Sequence, residues 1–501
     1  MRMHARVILV LVLTALMVAA GLVSVSAGEG KFVFGKLGLI PSMAIIGSGD
    51  MNGRWVGNCI MDPLWFYHPF EDEFEPALAV SWDLSDPLAW VFYLREGVKF
   101  HDGTDFTAED VVASVALAQA GGSMAPTFQI INEVEVVDPY TVVFHLDYAS
   151  SELRFILYTL WMGPDWALED KETWDAHPIG TGPFKLVDWS PESFVEMEAN
   201  EDYWMPGVPK LQELEFARIP EDAARVTALL TGEVDGIDTV PGTEIEALQE
   251  DPNVQLVQNS STSYQFLWMN AGRPPFNDPR VRQAVRHAID TETLRELVWP
   301  VLGQKAESII PHGLACFAAQ EDILYDPEES QRLLAEAGYP DGLRLTVTKR
   351  DQLNSAEEGD VIVSMLNQAG FIADYVILQS PVFVETVISN GDYEMAIFAH
   401  RGTNPDPANI IRRLYSAEAR DLTWWSTQGE SAHAQFEEAI ANAITATDDA
   451  CMYWAEVQRV MWEHGTVMNL NDVKNYFAVG AHVSGFVGEQ LTDFRYVEVS
   501  E

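Results

Sequence analysis

The residues whose chemistry could best serve a ligand lie in one stretch of the chain, residues 395–409, with the sequence MAIFAHRGTNPDPAN. Its apolar beginning, residues 395–398, is typical of a buried strand, and a polar loop closed by Pro405-Asp406-Pro407 follows. The end of a strand in an α/β fold is where ligand-binding groups usually converge. We therefore predict ligand contacts from this loop, and its candidate residues are His400, Arg401, Thr403, Asn404 and Asp406.

Two further candidates lie outside this loop. Arg350 follows a predicted strand, residues 343–348, and a guanidinium offers a bidentate fork that suits a carboxylate. The alternative for Arg350 is an ordinary surface arginine. Trp424 and Trp425 are adjacent, and neighbours on a strand cannot both face the same core. This pair is therefore the candidate for stacking on a sugar ring, although most tryptophans are core residues.

Motifs for common catalytic chemistry are absent: the chain has no HExxH, GxSxG, Walker A loop or CxxC. Gly180-Thr181-Gly182 lies between two prolines and no Lys-Ser/Thr follows it, so we interpret it as a turn and not as a phosphate-binding loop. His101 and His400 have no partner at metal-ligand spacing, and a structural, hydrogen-bonded role is the simpler interpretation of each. We predict no catalytic residues, no metal site and no cofactor.

Strands and helices alternate along the chain, which predicts mainly α/β lobes. Hairpins are predicted for residues 133–146 and 184–198, and another for residues 90–100 about Glu96-Gly97. Residues suited to capping mark three helix starts: Thr107, Asn277 or Asp278 before Pro279, and Asp326 before Pro327.

Length and charge limit the possibilities further. A chain of 501 residues is too long for one core and predicts two or three domains. Its 30 basic and 76 acidic residues give a formal charge of −46, which argues against nucleic acid as a partner because phosphate binding needs Lys and Arg. The acidic residues are scattered, as on a well-solvated surface, and the alternative is a field that favours cationic or zwitterionic solutes.

The N-terminus predicts export. Arg2 and Arg6 precede an apolar run, residues 7–23, and Val25-Ser26-Ala27 offers a small-residue cleavage site, so residues 1–27 are predicted to be a cleavable signal peptide. The alternative is an uncleaved membrane anchor. No cysteine lies near the site, so we expect a periplasmic protein and not a lipoprotein. The cysteines allow one disulfide without indicating its pair: Cys59, Cys316 and Cys451.

Five segments carry a family resemblance. They are EPALAVSW…LREGVKFHDG…FTAEDVVAS (75–114), PIGTGPF (178–184), PEDAARVTALLTGEVD (220–235), PPFNDPRVRQAVRHAID (274–290) and YDPEESQRLLAEAG (325–338). In this order they closely resemble the extracytoplasmic solute-binding proteins of the peptide/nickel ABC-importer family, family 5. The resemblance covers nearly the whole chain after the predicted leader.

This resemblance implies a two-lobed α/β periplasmic-binding-protein fold, type II, of the large cluster with an extra subdomain and a hinge between the lobes. Lobe one would comprise residues 28–268 and 478–501, with the extra subdomain at about 62–180, and lobe two residues 269–477. In peptide-binding relatives, the loop after the strand carries an Asp that pairs with the peptide's α-ammonium. That position is Thr403 here, and a threonine cannot neutralise a buried ammonium. Arg350 lies where dipeptide-binding relatives place an arginine that holds the ligand carboxylate.

The expected function is therefore capture of a peptide or peptide-like small solute between the lobes and its delivery to an ABC permease and its ATPase at the inner membrane. The resemblance implies a monomer that does not bind nucleic acid. Alternatives within the same fold are an oligosaccharide, through the tryptophans, and chelated nickel, through His400. Alternatives of other classes are a secreted enzyme and a surface interaction protein.

Overall fold

The computed structural model describes residues 30–47, 50–68, 73–122, 124–150, 152–351, 355–401, 407–417, 421–446, 450–488 and 493–500. The predicted leader lies outside these ranges, and so do Thr403, Asn404 and Asp406. Within the described ranges, no helix combines the length and the apolar character that crossing a bilayer requires.

Strands and helices alternate through most of the described chain. The strands are β1 (Lys31–Lys36), β2 (Trp65–His68), β3 (Glu73–Pro76), β4 (Ala79–Asp86), β5 (Ala89–Leu94), β6 (Ile131–Asp138), β7 (Thr141–Leu146), β8 (Phe184–Ser190), β9 (Phe194–Ala199), β10 (Glu213–Arg218), β11 (Gly236–Ile237), β12 (Val254–Met269), β13 (Gly303–Gln304), β14 (Leu343–Arg350), β15 (Phe371–Leu378), β16 (Met395–Arg401), β17 (Val467–Gly480), β18 (Val483–Ser484) and β19 (Glu498–Val499). The α-helices are Met51–Ile60, Ala108–Ala120, Ala125–Phe128, Glu152–Leu157, Lys171–Ala176, Asp222–Thr231, Ile245–Glu250, Pro279–Ala288, Thr291–Val298, Pro327–Glu336, Ser355–Gln368, Ser380–Phe383, Pro407–Tyr415, Ser431–Thr445 and Ala450–His464.

One large mixed sheet organises the molecule. Its strand order is β15-β14-β16-β12-β17-β11-β1-β10-β9-β8, and β13 pairs with β17 at the side. β1 is parallel to β10 and β11, and β14 is parallel to β15 and β16. The other pairs in this sheet are antiparallel. The α/β class predicted from the alternating pattern is confirmed.

Two long strands, β12 and β17, join the two halves of this sheet. They have 16 and 14 residues and pair antiparallel from Val254 opposite Gly480 to Trp268 opposite Val467. The register of this ladder shifts near its middle, between the pairs Asn259–Asn475 and Ser263–Val473. There, three residues of β12 face one residue of β17; we call this interruption the crossing bulge. A second register shift follows at Gln265/Phe266.

In each half of the sheet, before and after the crossing bulge, apolar side chains cover both faces. Beyond it, alternate residues of β12 enter two different cores, because neighbouring strand residues point to opposite faces. Tyr264, Phe266 and Trp268 are buried in one core, and Leu267 and Met269 in the other. In the half of the sheet that contains β1, a core rich in aromatic rings forms around this strand. The sheet is therefore the middle layer of a helix–sheet–helix arrangement.

A smaller antiparallel sheet in the order β4-β5-β7-β6 packs against the helix Ala108–Ala120. This helix begins as predicted: the Asp110 carboxylate accepts the backbone N–H of Thr107 at 2.7 Å, and both halves of a capping box are present. The β6–β7 hairpin is also as predicted. The hairpin predicted for residues 90–100 is wrong. β5 ends at Leu94 and pairs with β4 and β7, and buried Val98 and Phe100 lie outside the named strands.

The glycines of the Gly180-Thr181-Gly182 turn are explained by close backbone approach. A Cβ on Gly180 would lie 2.2 Å from the carbonyl oxygen of Ile60, and a Cβ on Gly182 would lie 2.4 Å from the carbonyl carbon of the same residue. His101 holds the turn: its Nδ1 accepts the N–H of Gly180 at 3.3 Å, and its Nε2 donates to the carbonyl of Gly182 at 3.1 Å. Burial lowers the pKa of His101 to about 4, so the ring is neutral and structural.

The predicted helix Pro279–Ala288 begins at Asp278, whose side chain accepts the N–H of Arg280. Arg286 on this helix is fully buried and donates to the carbonyls of Trp462 at 2.5 Å and Val467 at 2.6 Å. The helix thus fastens the end of Ala450–His464 to the start of β17, which fixes one face of the second half of the sheet.

Cys316 and Cys451, which are 135 positions apart in the sequence, form a disulfide. Cys59 is a buried free thiol, 2% exposed. The single disulfide that three cysteines allow is therefore in the second half of the molecule.

Candidate ligand-binding site

Strand direction brings two sets of strand ends to the crossing bulge. β12 runs from the first half of the sheet to the second, and β11 follows the same direction because both strands are antiparallel to β17. The carboxyl ends of β1, β10 and β11 therefore point at the crossing from one side. β16 is antiparallel to β12, so the carboxyl ends of β14, β15 and β16 point at it from the other side. Ligands of α/β sheets bind beyond the carboxyl ends of the strands, so this is the candidate site.

Arg350 lies at this edge as the last residue of β14. Its Nε donates to the hydroxyl of Ser380 at 2.9 Å, and its guanidinium carbon lies 5.7 Å from the ring centroid of Phe398. The Phe398 ring is stacked between two others, Phe383 at 5.8 Å and Trp268 at 5.7 Å between centroids. The arginine is therefore a half-buried cation on an aromatic platform, and the contacts limit its movement.

His400 and Arg401 are the last two residues of β16, and their backbones pair with Tyr264 and Ser263 of β12, beside the crossing bulge. β16 is the neighbour of β14, so the backbones of these two residues and Arg350 share one edge of the sheet. The rest of the predicted loop, with Thr403, Asn404 and Asp406, lies outside the described residues. Its role stays a prediction.

A charged cluster that the sequence analysis missed lies on β17 at the same edge. Asp472, opposite Tyr264, accepts a hydrogen bond from His312 Nδ1 at 2.7 Å, and Glu307 accepts one from His312 Nε2 at 2.8 Å. The hydrogen bond to Asp472 raises the pKa of His312, which favours the doubly protonated ring that donates on both sides. Burial raises the pKa of Asp472. The two effects oppose each other within one pair, and the geometry, with a donor facing each carboxylate, favours the ion pair.

The opposite rim of the site is built at the end of β1. Lys36 is 2% exposed; its Nζ lies 3.6 Å from the ring centroid of Trp55 and 3.5 Å from the Asp238 carboxylate. Asp238 follows β11 and also accepts the N–H of Leu37 at 2.7 Å. Burial lowers the pKa of Lys36, and Asp238 counters that effect. These contacts tie the ends of β1 and β11 together and give the first half a rigid rim.

Trp424 and Trp425 are not at this edge, and they are not on a strand. Trp424 has φ 59° and begins a single turn of 3₁₀-helix. Its Cβ would lie 2.7 Å from a Cβ on Gly272, a residue that follows the far end of β12. Trp425 is fully buried, and its indole N–H donates to Glu430 at 2.9 Å. The prediction that this pair lies on a strand is therefore wrong, and the structure does not bring the pair together with Arg350.

A cavity of about 340 Å³ lies elsewhere on the second half, between the helix Thr291–Val298 and residues 322–325. Lys305 at its wall is already paired with Asp322 at 2.7 Å, and Arg295 is next to Glu292 at 3.8 Å. Among the described residues, no group of three or more His, Cys, Asp or Glu side chains is placed to hold a metal ion.

The arrangement can hold a polar solute between two half-sheets. On the second half, Arg350 and the Glu307–His312–Asp472 cluster lie at strands β14 and β17, which are three strand spacings, or about 14 Å, apart. An anionic group is favoured on the side of Arg350 and disfavoured near the two carboxylates. The site therefore favours a solute whose anionic group lies at the Arg350 end of this sheet edge.

Two half-sheets joined by two crossing strands, with strand ends facing each other, define a two-lobed binding protein. Residues 73–421 match the family described as bacterial extracellular solute-binding proteins, family 5 Middle, and the chain belongs to that family. It is thus a solute-binding protein, and the sequence-based assignment of family, fold class and solute-binding role is confirmed.

Named relatives agree with this assignment. The glutathione-binding protein GsiB of Escherichia coli O1:K1 / APEC is 27% identical over 432 residues, which cover 83% of this chain and 84% of GsiB. Heme-binding protein A of Haemophilus influenzae is 28% identical over 459 residues, 84% of this chain and 81% of that protein. The structure of HbpA2 from Haemophilus parasuis has a TM-score of 0.83 at 23% identity and covers 94% of this chain and all of that one. The last comparison shows the two-lobed fold.

Proposed function

We propose that this protein captures a peptide or peptide-like solute with an anionic group and delivers it to an ABC permease and its ATPase. The observation that carries the proposal is Arg350, a half-buried guanidinium that lies at the carboxyl end of β14 and is held over Phe398. A fixed guanidinium pays little further entropy to form a bidentate contact with a carboxylate. The similarity to a glutathione-binding protein supports a peptide-like solute.

Thr403 limits which peptides fit. The carboxylate that peptide-binding relatives place at this position would be missing, so a free α-ammonium would have no counter-charge there. We propose that the preferred solute has an amide, a modified amine or another neutral group at that end. Contacts from the positions of His400, Arg401, Asn404 and Asp406 belong to the same proposal.

The proposed division into lobes follows the crossing strands. The sequence-based bounds are residues 28–268 and 478–501 for lobe one, with the extra subdomain at about 62–180, and residues 269–477 for lobe two. Because residues 264–268 pack in the cores of the second half and Phe477 packs in the core of the first, we place both boundaries a few residues earlier in the chain. We propose that the chain passes from one lobe to the other at the crossing bulge, inside β12 and β17. A rotation of the lobes about this point would close the cleft on the solute and exclude water.

The cellular setting belongs to the same proposal. Members of this family work outside the cytoplasmic membrane, and cleavage of residues 1–27 would release the protein to the periplasm as a monomer without a lipid anchor. Binding is non-covalent and no reaction is catalysed. The formal charge of −46 disfavours nucleic acid.

The solute can be found directly. Native mass spectrometry of protein purified without denaturation would show a retained solute, and calorimetry would then measure binding of glutathione, of one dipeptide with free ends, and of its N-acetyl and C-amide forms. We expect the N-acetyl form to bind at least as well as the free dipeptide and the C-amide form to bind worse. Tighter binding of hemin, a sugar or a nickel chelate than of every peptide in the panel would contradict the proposed solute class. Conversion of any of these compounds to a product would contradict the non-catalytic role.

Arg350→Ala tests the anchoring group. Removing the partner of a solute carboxylate should weaken binding by about 2 kcal/mol, roughly thirtyfold. Arg350→Lys should recover only part of this because an ammonium cannot form the fork. Arg344→Ala is the matched control, since Arg344 is an exposed arginine on the same strand. Equal affinities for Arg350→Ala and Arg344→Ala would reject the anchoring role.

A further inference from the structure

Residues 305–318, which we call the strap, touch both lobes without being part of either crossing strand. Leu314 is buried with Ile309 and Ile310 in the core of the second lobe. The next residue, Ala315, is 3% exposed and belongs to the core of the first lobe, whose other buried members come from residues 32–216 and 477–497. Two adjacent residues thus pack into different lobes. The strap is a third link between them.

Gln458, on the helix Ala450–His464, fixes the strap to the second lobe. The Gln458 side chain is fully buried; its Oε1 accepts hydrogen bonds from the Ser308 hydroxyl at 2.8 Å and from the Ala318 N–H at 3.0 Å. Its Nε2 donates to the carbonyl of Cys316 at 2.7 Å. One amide therefore binds the strap at three places, and each bond is in a region with little competing water.

The disulfide acts on the same piece of chain. Cys316 is bonded to Cys451 at the start of the helix that carries Gln458. Cys316 also has φ 56°, a left-handed conformation that non-glycine residues adopt only when their surroundings hold them there. The covalent bond and the Gln458 hydrogen bonds supply that restraint at the residue next to Ala315.

A third attachment lies at the crossing. The ring Nδ1 of His312 donates to the carboxylate of Asp472 on β17 at 2.7 Å, and the backbone N–H of His312 donates to the same carboxylate at 3.2 Å. Asn469, also on β17, donates to the carbonyl of Ser308 at 3.1 Å. The strap is therefore held to the second lobe at several points between Ser308 and Ala318, while, among the described residues of the strap, Ala315 is the one whose side chain belongs to the core of the other lobe.

We propose that the strap is a latch between the lobes: Ala315 packs on the first lobe and stabilises the arrangement of the lobes seen here, and Gln458 with the Cys316–Cys451 disulfide positions it. Since the strap moves as one body with the second lobe, the small contact at Ala315 adds to the free-energy difference between lobe arrangements. This inference rests on the proposed closure at the crossing bulge, but it concerns the protein without solute and is tested in that state.

The contact itself is tested with Ala315→Glu. A carboxylate cannot be buried there without a partner, so the lobes should separate and the radius of gyration from small-angle X-ray scattering should increase. Ala319→Glu is the matched control, because Ala319 is exposed and lies immediately after the strap. We expect the scattering of Ala319→Glu to match that of the original protein. An unchanged radius of gyration for Ala315→Glu would overturn the latch.

The positioning role is tested by hydrogen exchange of solute-free protein. In the double variant Cys316→Ser/Cys451→Ser, and separately in Gln458→Leu, the amides of His312 and Ala318 should exchange about tenfold faster or more, while those of β1 stay protected. Cys59→Ser is the control, because Cys59 is the buried free thiol of the helix Met51–Ile60 and its replacement leaves the Cys316–Cys451 disulfide intact. Unchanged exchange in the double variant would show that the disulfide does not position the strap. If the latch variants behave as expected and no panel compound binds, the solute proposal fails and the latch stands.

Discussion

Replacing Arg286 by methionine should destabilise the second lobe strongly. The guanidinium of Arg286 is fully buried and donates to four carbonyls: those of Met461, Trp462, Gly465 and Val467, at 3.3, 2.5, 3.2 and 2.6 Å. Met461 and Trp462 lie in the last turn of the helix Ala450–His464, whose carbonyls have no intrahelical amide to bind. The arginine therefore completes the end of this helix and the turn into β17.

The expected size of the effect follows from the acceptors that lose their donor. Met461 keeps a partner, because the N–H of Gly465 also donates to its carbonyl at 2.9 Å. The carbonyls of Trp462, Gly465 and Val467 are the principal losses, at about 1–3 kcal/mol for each buried acceptor left unpaired. Methionine fills much of the volume of the arginine stem and removes a buried charge, which offsets part of the loss. We expect the free energy of unfolding to fall by about 3 kcal/mol.

Urea titration followed by tryptophan fluorescence would measure this change. The matched control is Arg280→Met on the same helix, because Arg280 is an exposed arginine whose side chain pairs with Asp278 at 2.6 Å. An exposed ion pair contributes about 1 kcal/mol or less. If Arg286→Met cost no more than Arg280→Met, the reasoning that Arg286 satisfies otherwise unpaired carbonyls would be refuted.

Two further predictions concern salt and pH. With a formal charge of −46, the acidic side chains of the folded protein repel one another. Raising sodium chloride from about 0.1 M to 1 M shortens the screening length from about 10 Å to about 3 Å and should therefore raise the melting temperature. A lower melting temperature in high salt would contradict this. The hydrogen bond to Asp472 raises the pKa of His312 above its ordinary value of 6.5. While Asp472 is ionised, the stabilisation from the protonated His312 ring is therefore fully present below pH 6.5. It declines as the pH rises through the raised pKa. The difference in urea midpoint between the original protein and His312→Gln should therefore shrink from mildly acidic to alkaline pH, and a difference that grew with pH would reject the ion pair.

Most of the helices and strands could be predicted because their signals are local. Asp278 before Pro279 and Asp326 before Pro327 each place a side-chain acceptor at a helix start, and in both cases the structure has that cap. Alternation over a few residues was sufficient for the hairpin of β6 and β7. A cap and a period of two depend only on residues a few positions apart, so they need no knowledge of the fold.

The predicted hairpin at residues 90–100 failed for the opposite reason. β5 obtains its hydrogen bonds from β4 and β7, so its partners are fixed by the sheet and not by the turn after it. Val98 and Phe100 are both buried, and this produces the alternating pattern in the sequence. They are buried because the loop that contains them packs on the core, and not because they lie on a strand. An alternating pattern reports which side chains are buried and does not identify the strand that supplies the ladder.

The same distinction separates the residues of the site. Arg350 could be predicted at a strand end because it follows an apolar alternating segment, and its assignment to ligand binding comes from the family resemblance. His312 could not, because its partner Asp472 is 160 residues away and no pattern around residue 312 marks it. The tryptophan pair lies in a turn because of Asp421: its carboxylate accepts the N–H groups of Trp425 at 3.2 Å and Ser426 at 2.7 Å, which makes this segment a capped turn and not a strand.

The continuous sheet also explains where a hinge can be. A rotation between the lobes must bend β12 and β17 together, and at a regular position this would break paired hydrogen bonds on both strands. At the crossing bulge the ladder is already interrupted, with three residues of β12 facing one of β17, so bending there breaks fewer bonds. The carboxyl ends of β1 and β14 lie on opposite sides of this point, so a rotation there changes the distance between them directly. The irregularity in the sheet and the position of the ligand edge are therefore consequences of the same strand crossing.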